Sequence, residues 1–288
     1  MIDPTGLQVT VCVASLNTNS CTELCVRSLS ERAGYPHTLR IGDSGSTDGS
    51  IEMLESMQSR GMLILEVSPS PRRHAAWLDH WRAQVDTDVL LFVDSDIEFR
   101  RSGWLAAVVG ELRRSGCGIV YAEALAESEI QVEGRKAHLA PRPAPWLLAV
   151  VRDSVESVEA SFEEVRTETT SAPSGLLVED VGAAFYAEAL RRQTAVSCLP
   201  RAFRRTYHHY GGLSWIPSGG SRGRKKDRDE RVVARRLRLL RVAQESPSGP
   251  RRIAARIRLA PSIESAREFA FRVIGRVGRT IPRNPRRS

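Results

Sequence analysis

The sequence predicts an α/β fold, a mainly parallel sheet flanked by helices, followed by a basic, partly helical C-terminal extension. Three observations support this. Strand-like and helix-like segments alternate four times in the first 100 of 288 residues, the pattern of parallel strands joined by crossover helices. The fourth strand-like segment, Asp88–Val93, is apolar at every position after Asp88, as expected of a strand covered on both faces. The charge also divides along the chain. Residues 218–288 hold 21 Lys+Arg and 6 Asp+Glu, whereas residues 1–217 hold 21 and 28, so a body of net −7 carries a tail of net +15.

The first strand spans Leu7–Ala14 and opens into the polar run Ser15–Ser20. Cys21–Arg32 has a helical rhythm, with Leu24, Val26 and Leu29 interleaved with Glu23, Arg27 and Glu31. Thr38–Gly42 is the second strand, Asp43–Ser50 the turn after it, and Ile51–Arg60 a helix whose start is marked by Ser or Asp caps. Met62–Val67 is the third strand, and a helix over His74–Gln84 leads to the fourth. Beyond it, Trp104–Arg114 reads as a helix, Gly118–Tyr121 as a strand and Gly182–Arg192 as a helix, and three prolines between Ala140 and Pro145 mark a loop. After Trp215 the composition turns to Pro, Ser and Gly, so the compact domain is expected to comprise residues 1–217.

A composition of 41% hydrophobic and 26% charged residues excludes whole-chain disorder and collagen-like or coiled-coil classes. No apolar run approaches the roughly 20 residues of a bilayer-spanning helix. Residues 1–6 show neither a basic n-region nor an apolar stretch, so no signal peptide is read and the expected location is cytoplasmic. The five cysteines (Cys12, Cys21, Cys25, Cys117, Cys198) are odd in number and scattered, which argues against a disulfide framework. They read as buried or half-buried thiols.

In parallel sheets ligands bind beyond the carboxyl ends of the strands. Three polar clusters lie there: Ser15–Asn19, Asp43–Asp48 and Asp94–Asp96. Asp94 and Asp96, one residue apart at the end of a buried strand, point to the same side and can reach one polyanion or its metal. Their oxygens suit the hard ions Mg²⁺ and Mn²⁺. An Asp-x-Asp pair alone is also an ordinary solvated strand end, so its weight comes from context.

That context is the succession of Val9–Asn17, Ile41-Gly-Asp43-Ser-Gly-Ser-Thr-Asp48-Gly-Ser50 and Phe92-Val-Asp94-Ser-Asp96, which resembles the nucleotide-sugar-binding half of family 2 glycosyltransferases of the GT-A fold. The resemblance covers roughly residues 7–217. It implies an inverting transfer of a sugar from a nucleotide-diphospho-sugar to an acceptor hydroxyl, dependent on Mn²⁺ or Mg²⁺; the acceptor could be a glycan, a lipid-linked molecule or a small molecule. By position, Ala14, Ser15 and Asn17 would wrap the nucleoside and Asp43 would hydrogen-bond the base, with Asp48 a helix cap. Arg73 and His74, with Arg72 beside them, fall where similar enzymes approach the nucleotide. Asp94 and Ser95 would meet the donor, and Asp94 and Asp96 the metal.

The resemblance extends to two later motifs. Asp180, in Asp180-Val-Gly182, would be the general base with Glu179 in reserve; the alternative for both is a solvated helix N-terminus favoured by the macrodipole. His209, ahead of Tyr-Gly-Gly-Leu-Ser214, resembles the family's late histidine, which can complete the metal or diphosphate site, and His208 is its neighbour. Trp146 either stacks on an acceptor sugar or fills core. The Gln-x-x-Arg-Trp motif of membrane-bound polysaccharide synthases is absent, which argues against a processive polymerase.

In the tail, Arg222–Arg241 has partly helical spacing, and Ile263, Ala266, Ala270, Val273, Ile274 and Val277 form an apolar stripe with arginines elsewhere on the wheel. Two readings stay open: attachment to an anionic membrane surface, which would place the protein peripherally on the inner face, or packing on the domain. Nucleic-acid binding ranks third, because no aromatic platform or recognised module accompanies the charge. Two alternatives to the transferase remain. One is a haloacid-dehalogenase-like phosphohydrolase, which also carries Asp-x-Asp after an apolar strand, although on its first strand. The other is a non-catalytic scaffold that binds membrane or nucleic acid through the tail.

Overall fold

The computed structural model describes residues 6–169, 174–211 and 224–245. Its first half runs β1 (Val9–Ser15), α1 (Asn19–Arg32), β2 (Thr38–Asp43), α2 (Ser50–Gln58), β3 (Ile64–Val67), α3 (His74–Gln84), β4 (Val89–Asp94), β5 (Ile97–Phe99) and α4 (Trp104–Ser115). Then follow β6 (Ile119–Tyr121), β7 (Ala124–Leu125), β8 (Ser128–Val132), β9 (Arg135–Leu139), β10 (Arg142–Pro143), β11 (Leu147–Val151) and the short α5 (Arg152–Val155). The remainder is β12 (Val165–Glu168), β13 (Leu176–Glu179), α6 (Ala183–Arg191), β14 (Val196–Cys198), a 3₁₀ turn (Arg201–Arg205), β15 (Tyr207–His209) and α7 (Arg224–Glu245).

The main sheet has seven strands in the order β14-β6-β11-β4-β1-β2-β3. Strands β4, β1, β2 and β3 pair in parallel, as the alternation predicts. β11 alone is reversed, antiparallel to both β4 and β6. β4 lies between β1 and β11, and its side chains alternate between two cores. Val89, Leu91 and Val93 join a cluster with α1, α2 and α4, while Leu90 and Phe92 join one with α3 and α6. That two-sided burial is why the strand carries no polar residue before Asp94.

The sequence reading did not anticipate β11 or a second, four-stranded sheet in the order β12-β13-β9-β8. The proline-rich segment expected as a loop contains the two-residue β10, paired with β7. By internal contacts the chain forms two units, Met1–Val233 and Ala234–Ser288. The division expected at residue 217 falls among residues 212–223, outside the described residues, as does the stripe from Ile263 to Val277. Among the described residues no helix is long and apolar enough to cross a membrane.

Candidate active site

The carboxyl ends of β1, β2 and β4 lie side by side, with Ala14 opposite Asp94 and Ser15 opposite Asp43. Beyond them opens a cavity of about 320 Å³, whose lining includes Ala14, Ser15, Ser44, Arg72, Arg73, His74, Trp77, Asp94 and Ser95. One wall is built by a chain of contacts. Trp77 donates its indole N–H to Ser44 Oγ (2.9 Å), and Ser44 donates to the Arg72 carbonyl (2.8 Å). The Arg72 guanidinium sits 4.3 Å from the centre of the Trp77 ring. Gly42 admits this wall: a Cβ there would lie 2.6 Å from the Trp77 ring. Neither Trp77 nor Ser44 was singled out from sequence, where Trp77 is one more apolar residue on a helix.

Two expected donor residues do not line the cavity. Asp43 is fully buried, and its carboxylate accepts from the Gly45 N–H (3.0 Å), the Ser46 N–H (2.7 Å) and the Ser46 hydroxyl (2.7 Å). Asn17, at a positive φ of 50°, accepts from the Thr47 N–H (2.7 Å) on its side chain and donates its own N–H to Ser46 Oγ (2.8 Å), so it ties the β1 loop to the β2 loop. Asp48 accepts from the N–H groups of Ser50 (3.1 Å) and Asn19 (2.9 Å), serving the first turns of both α2 and α1. Arg73 and His74 do reach the lining; Arg73 is exposed and pairs with Glu163 at 3.1 Å.

The acidic pair is completed from the far end of the domain. β15 pairs antiparallel with β5, His209 opposite Ile97, and the Tyr210 N–H donates to the Asp96 carbonyl (3.0 Å). His209 Nε2 thereby comes 3.1 Å from Asp96 Oδ1 and 3.9 Å from Asp94 Oδ2. One ligand atom from each of Asp94, Asp96 and His209 lies within 4.8 Å of the others, a spacing that two oxygens and a nitrogen around one divalent ion can adopt. Strand alternation decides between the two histidines: His208 faces the other way, its ring 4.6 Å from Tyr210. His74 Nε2 stands 3.5 Å from Asp94 Oδ1 on the cavity side.

Opposing influences act on the charges of this cluster. Burial raises the Asp94 carboxyl above its usual range; His74 opposes this, the Asp96 charge adds to it, and His209 opposes it. Burial disfavours the His209 imidazolium, but the hydrogen bond to Asp96 and the charges of Asp96, Asp94 and Glu123 outweigh it and raise its pKa. The imidazole is also packed: the Trp146 ring lies 4.7 Å from it. Tyr207, on the same face of β15, donates to Glu123 Oε1 (2.8 Å), and Arg204 pairs with the other Glu123 oxygen (3.4 Å). Glu123 and Arg204 have no local sequence signal.

Asp180 follows β13 and precedes α6, whose cap Gly182 has φ +80°. Its carboxylate accepts from the Val181 N–H (2.7 Å) and pairs with the buried guanidinium of Arg142. Glu179 is the last residue of β13, half-buried and opposite Val165.

A mainly parallel sheet flanked by helices, its strand ends opening on a cavity, is the α/β architecture of the GT-A fold. The chain belongs to glycosyl transferase family 2, whose pattern matches residues 10–166, more than half of its length. This leaves the phosphohydrolase alternative without support, and Asp94 ends the fourth strand rather than the first. Among solved structures the chain is similar to the mannosyltransferase PcManGT from Pyrobaculum calidifontis in complex with GDP-Man and Mn²⁺, at 18% identity and TM-score 0.47, over 91% of this chain and 82% of that one. It is also similar to the Mycobacterium tuberculosis glucosyl-3-phosphoglycerate synthase in complex with Mn²⁺, UDP and glucosyl-3-phosphoglycerate, at 15% identity and TM-score 0.46, over 85% and 82%. Against S. aureus TarS, at 13% identity and TM-score 0.41, 55% of this chain is covered but only 30% of that one. No curated protein matches the chain in sequence.

Proposed function

We propose that this glycosyltransferase draws its sugar from a nucleotide-diphospho-sugar seated in the cavity and transfers it, with inversion, to an acceptor hydroxyl. The observation that carries the reading is the convergence of Asp94, Asp96 and His209 beside that cavity, from sequence positions more than 100 residues apart. These three residues would hold Mn²⁺ or Mg²⁺. Bound there, the ion supplies Lewis-acid stabilisation of the charge that develops on the departing diphosphate.

The remaining roles fall to the chain itself. The wall of Trp77, Ser44 and Arg72, with Ala14 and Ser15 opposite, encloses the nucleoside. Asp43 and Asn17 contribute by fixing the loops around it. Among the described residues the exposed Arg73 side chain has one ion pair, with Glu163, worth at most about 1 kcal/mol, so it turns readily toward the diphosphate, with His74 beside it. Asp180 takes the proton of the acceptor hydroxyl as the sugar carbon is attacked, and Glu179 is the reserve for that step. Catalysis belongs to residues 1–217, and the basic tail serves either to meet an anionic membrane surface or to pack on the domain.

Thermal melting of the full chain with UDP, GDP, UDP-glucose and GDP-mannose, each with and without Mn²⁺, tests the reading. At least one nucleotide should raise Tm only when Mn²⁺ is present, and Asp96→Ala should abolish that rise. A rise of equal size without metal, or in Asp96→Ala, contradicts the reading.

A further inference from the structure

Residues 142–146, Arg-Pro-Ala-Pro-Trp, form a strap that touches Asp180, Glu123, Asp94 and His209 in turn. At its start Arg142 pairs with Asp180. In its middle the Ala144 N–H donates to the Glu123 carbonyl (2.8 Å). At its end the Trp146 carbonyl accepts from the Asp94 N–H (3.2 Å), and the Trp146 ring packs on His209. Leu147 then enters the sheet opposite Val93. Four residue steps of extended chain span at most about 14 Å, and prolines at alternate positions fix φ along them. The strap therefore sets a short, stiff separation between the residue that holds Asp180 and the residues that hold the Asp94–Asp96–His209 cluster.

The Arg142 side chain is only 6% exposed, and of its nitrogens only Nη2 has a partner: Nε and Nη1 are buried with no acceptor among the described residues. A buried ion pair with unsatisfied N–H groups is a poor source of stability, because an apolar pair of similar volume does as well or better. What the pair does provide is geometry. The guanidinium fixes one Asp180 oxygen and the Val181 N–H the other, so the carboxylate has a single orientation.

We propose that Arg142 is a positioning residue for the transfer reaction: it locks the Asp180 carboxylate and, through the proline-stiffened strap, sets it against the metal-binding cluster. The inference rests on the reading of Asp180 as the base. Arg142 itself touches neither donor nor metal, so its loss falls on turnover and leaves donor affinity alone.

The test uses the full chain with Mn²⁺ and reads release of nucleoside diphosphate from UDP-glucose or GDP-mannose, water serving as acceptor. Arg142→Met should lower kcat by about 30-fold or more while donor KM stays within about twofold, the pattern of an interaction used in the chemical step. Millimolar guanidinium should restore part of that loss, which a merely structural role does not predict. Arg142→Lys should fall between wild type and Arg142→Met. The double variant Arg142→Met/Asp180→Asn should be no slower than Asp180→Asn, since the two act as one unit; lacking both charges of the pair, it also serves if Arg142→Met fails to fold. Retention of kcat within about threefold in Arg142→Met, or losses that multiply in the double variant, would overturn the inference. Full turnover by Asp180→Asn would instead overturn the assignment of the base.

Discussion

The proposed donor half of the site and the proposed acceptor half are held together by different kinds of contact. Around the cavity, Asp43 bonds N–H groups two and three residues away, while Asn17, Asp48 and Trp77 tie neighbouring loops across 30, 29 and 33 residues. On the acceptor side, Asp180 is held by Arg142, 38 residues distant, Glu123 by Tyr207 across 84, and Glu98 by Tyr210 across 112. The donor loops thus combine local turns with ties between successive strand ends, whereas the Glu123 and Glu98 contacts require the C-terminal part of the domain to fold back on the first half. The Asp94–Asp96–His209 cluster, the proposed metal site, joins the two, taking its aspartates from the first half and its histidine from the second.

Substitutions that attack one kind of contact and spare the other can break this comparison. The largest effect is expected at Gly42, where any side chain meets the Trp77 ring. Gly42→Ala should cost about 3 kcal/mol by overpacking and weaken nucleotide binding, read by chemical denaturation and calorimetry. On the acceptor side, Tyr210→Phe removes the hydroxyl that donates to buried Glu98 (2.9 Å) and so loosens β15. A loss of about 1–2 kcal/mol should accompany weaker Mn²⁺ binding through His209, with metal-free nucleotide binding unchanged. Asp48→Ala should cost about 1 kcal/mol, the scale of a lost helix cap, and leave Mn²⁺ affinity intact.

The smallest effect sharpens the contrast, because it concerns a long-range cluster in the donor half that lies away from the cavity. Glu66 accepts from Arg40 (3.0 Å) and the Trp81 indole (3.0 Å) and bonds His80 (2.8 Å). Burial raises its pKa, but the hydrogen bonds from His80, Trp81 and Arg40 outweigh that and leave it below the usual carboxylate value. Its contribution is therefore present above the unfolded-state pKa and lost as pH falls through the lower folded-state value. Glu66→Gln should melt below wild type at pH 7, the gap should close toward pH 3, and nucleotide binding should not change.

What was legible in the sequence follows the same division. Strands β1 to β4 and the Asp43–Ser50 turn could be read because each is specified by contiguous residues: periodicity, caps and an apolar run. β11 was missed although Leu147–Val151 is wholly apolar, because its reversed direction depends on the strap before it and not on any pattern within it. The second sheet was missed because β8 and β9 are short and largely polar; the hint was Glu133-Gly134, a pair at positive φ that closes a hairpin. The choice of His209 over His208 needed the register of β15 on β5, which fixes the face each histidine occupies. Arg142 had no local signal at all, since its partner is set by the approach of β10 to the turn before α6.

The most direct test of the central claim is nucleoside diphosphate release from UDP-glucose and GDP-mannose by wild type and Asp96→Ala across a Mn²⁺ titration. Wild type should turn over at least one donor with saturable Mn²⁺ dependence, and Asp96→Ala should lose about 10²-fold or more at every Mn²⁺ concentration, the scale of a lost transition-state charge contact. Metal-independent turnover, or an Asp96→Ala variant as active as wild type, would contradict the account.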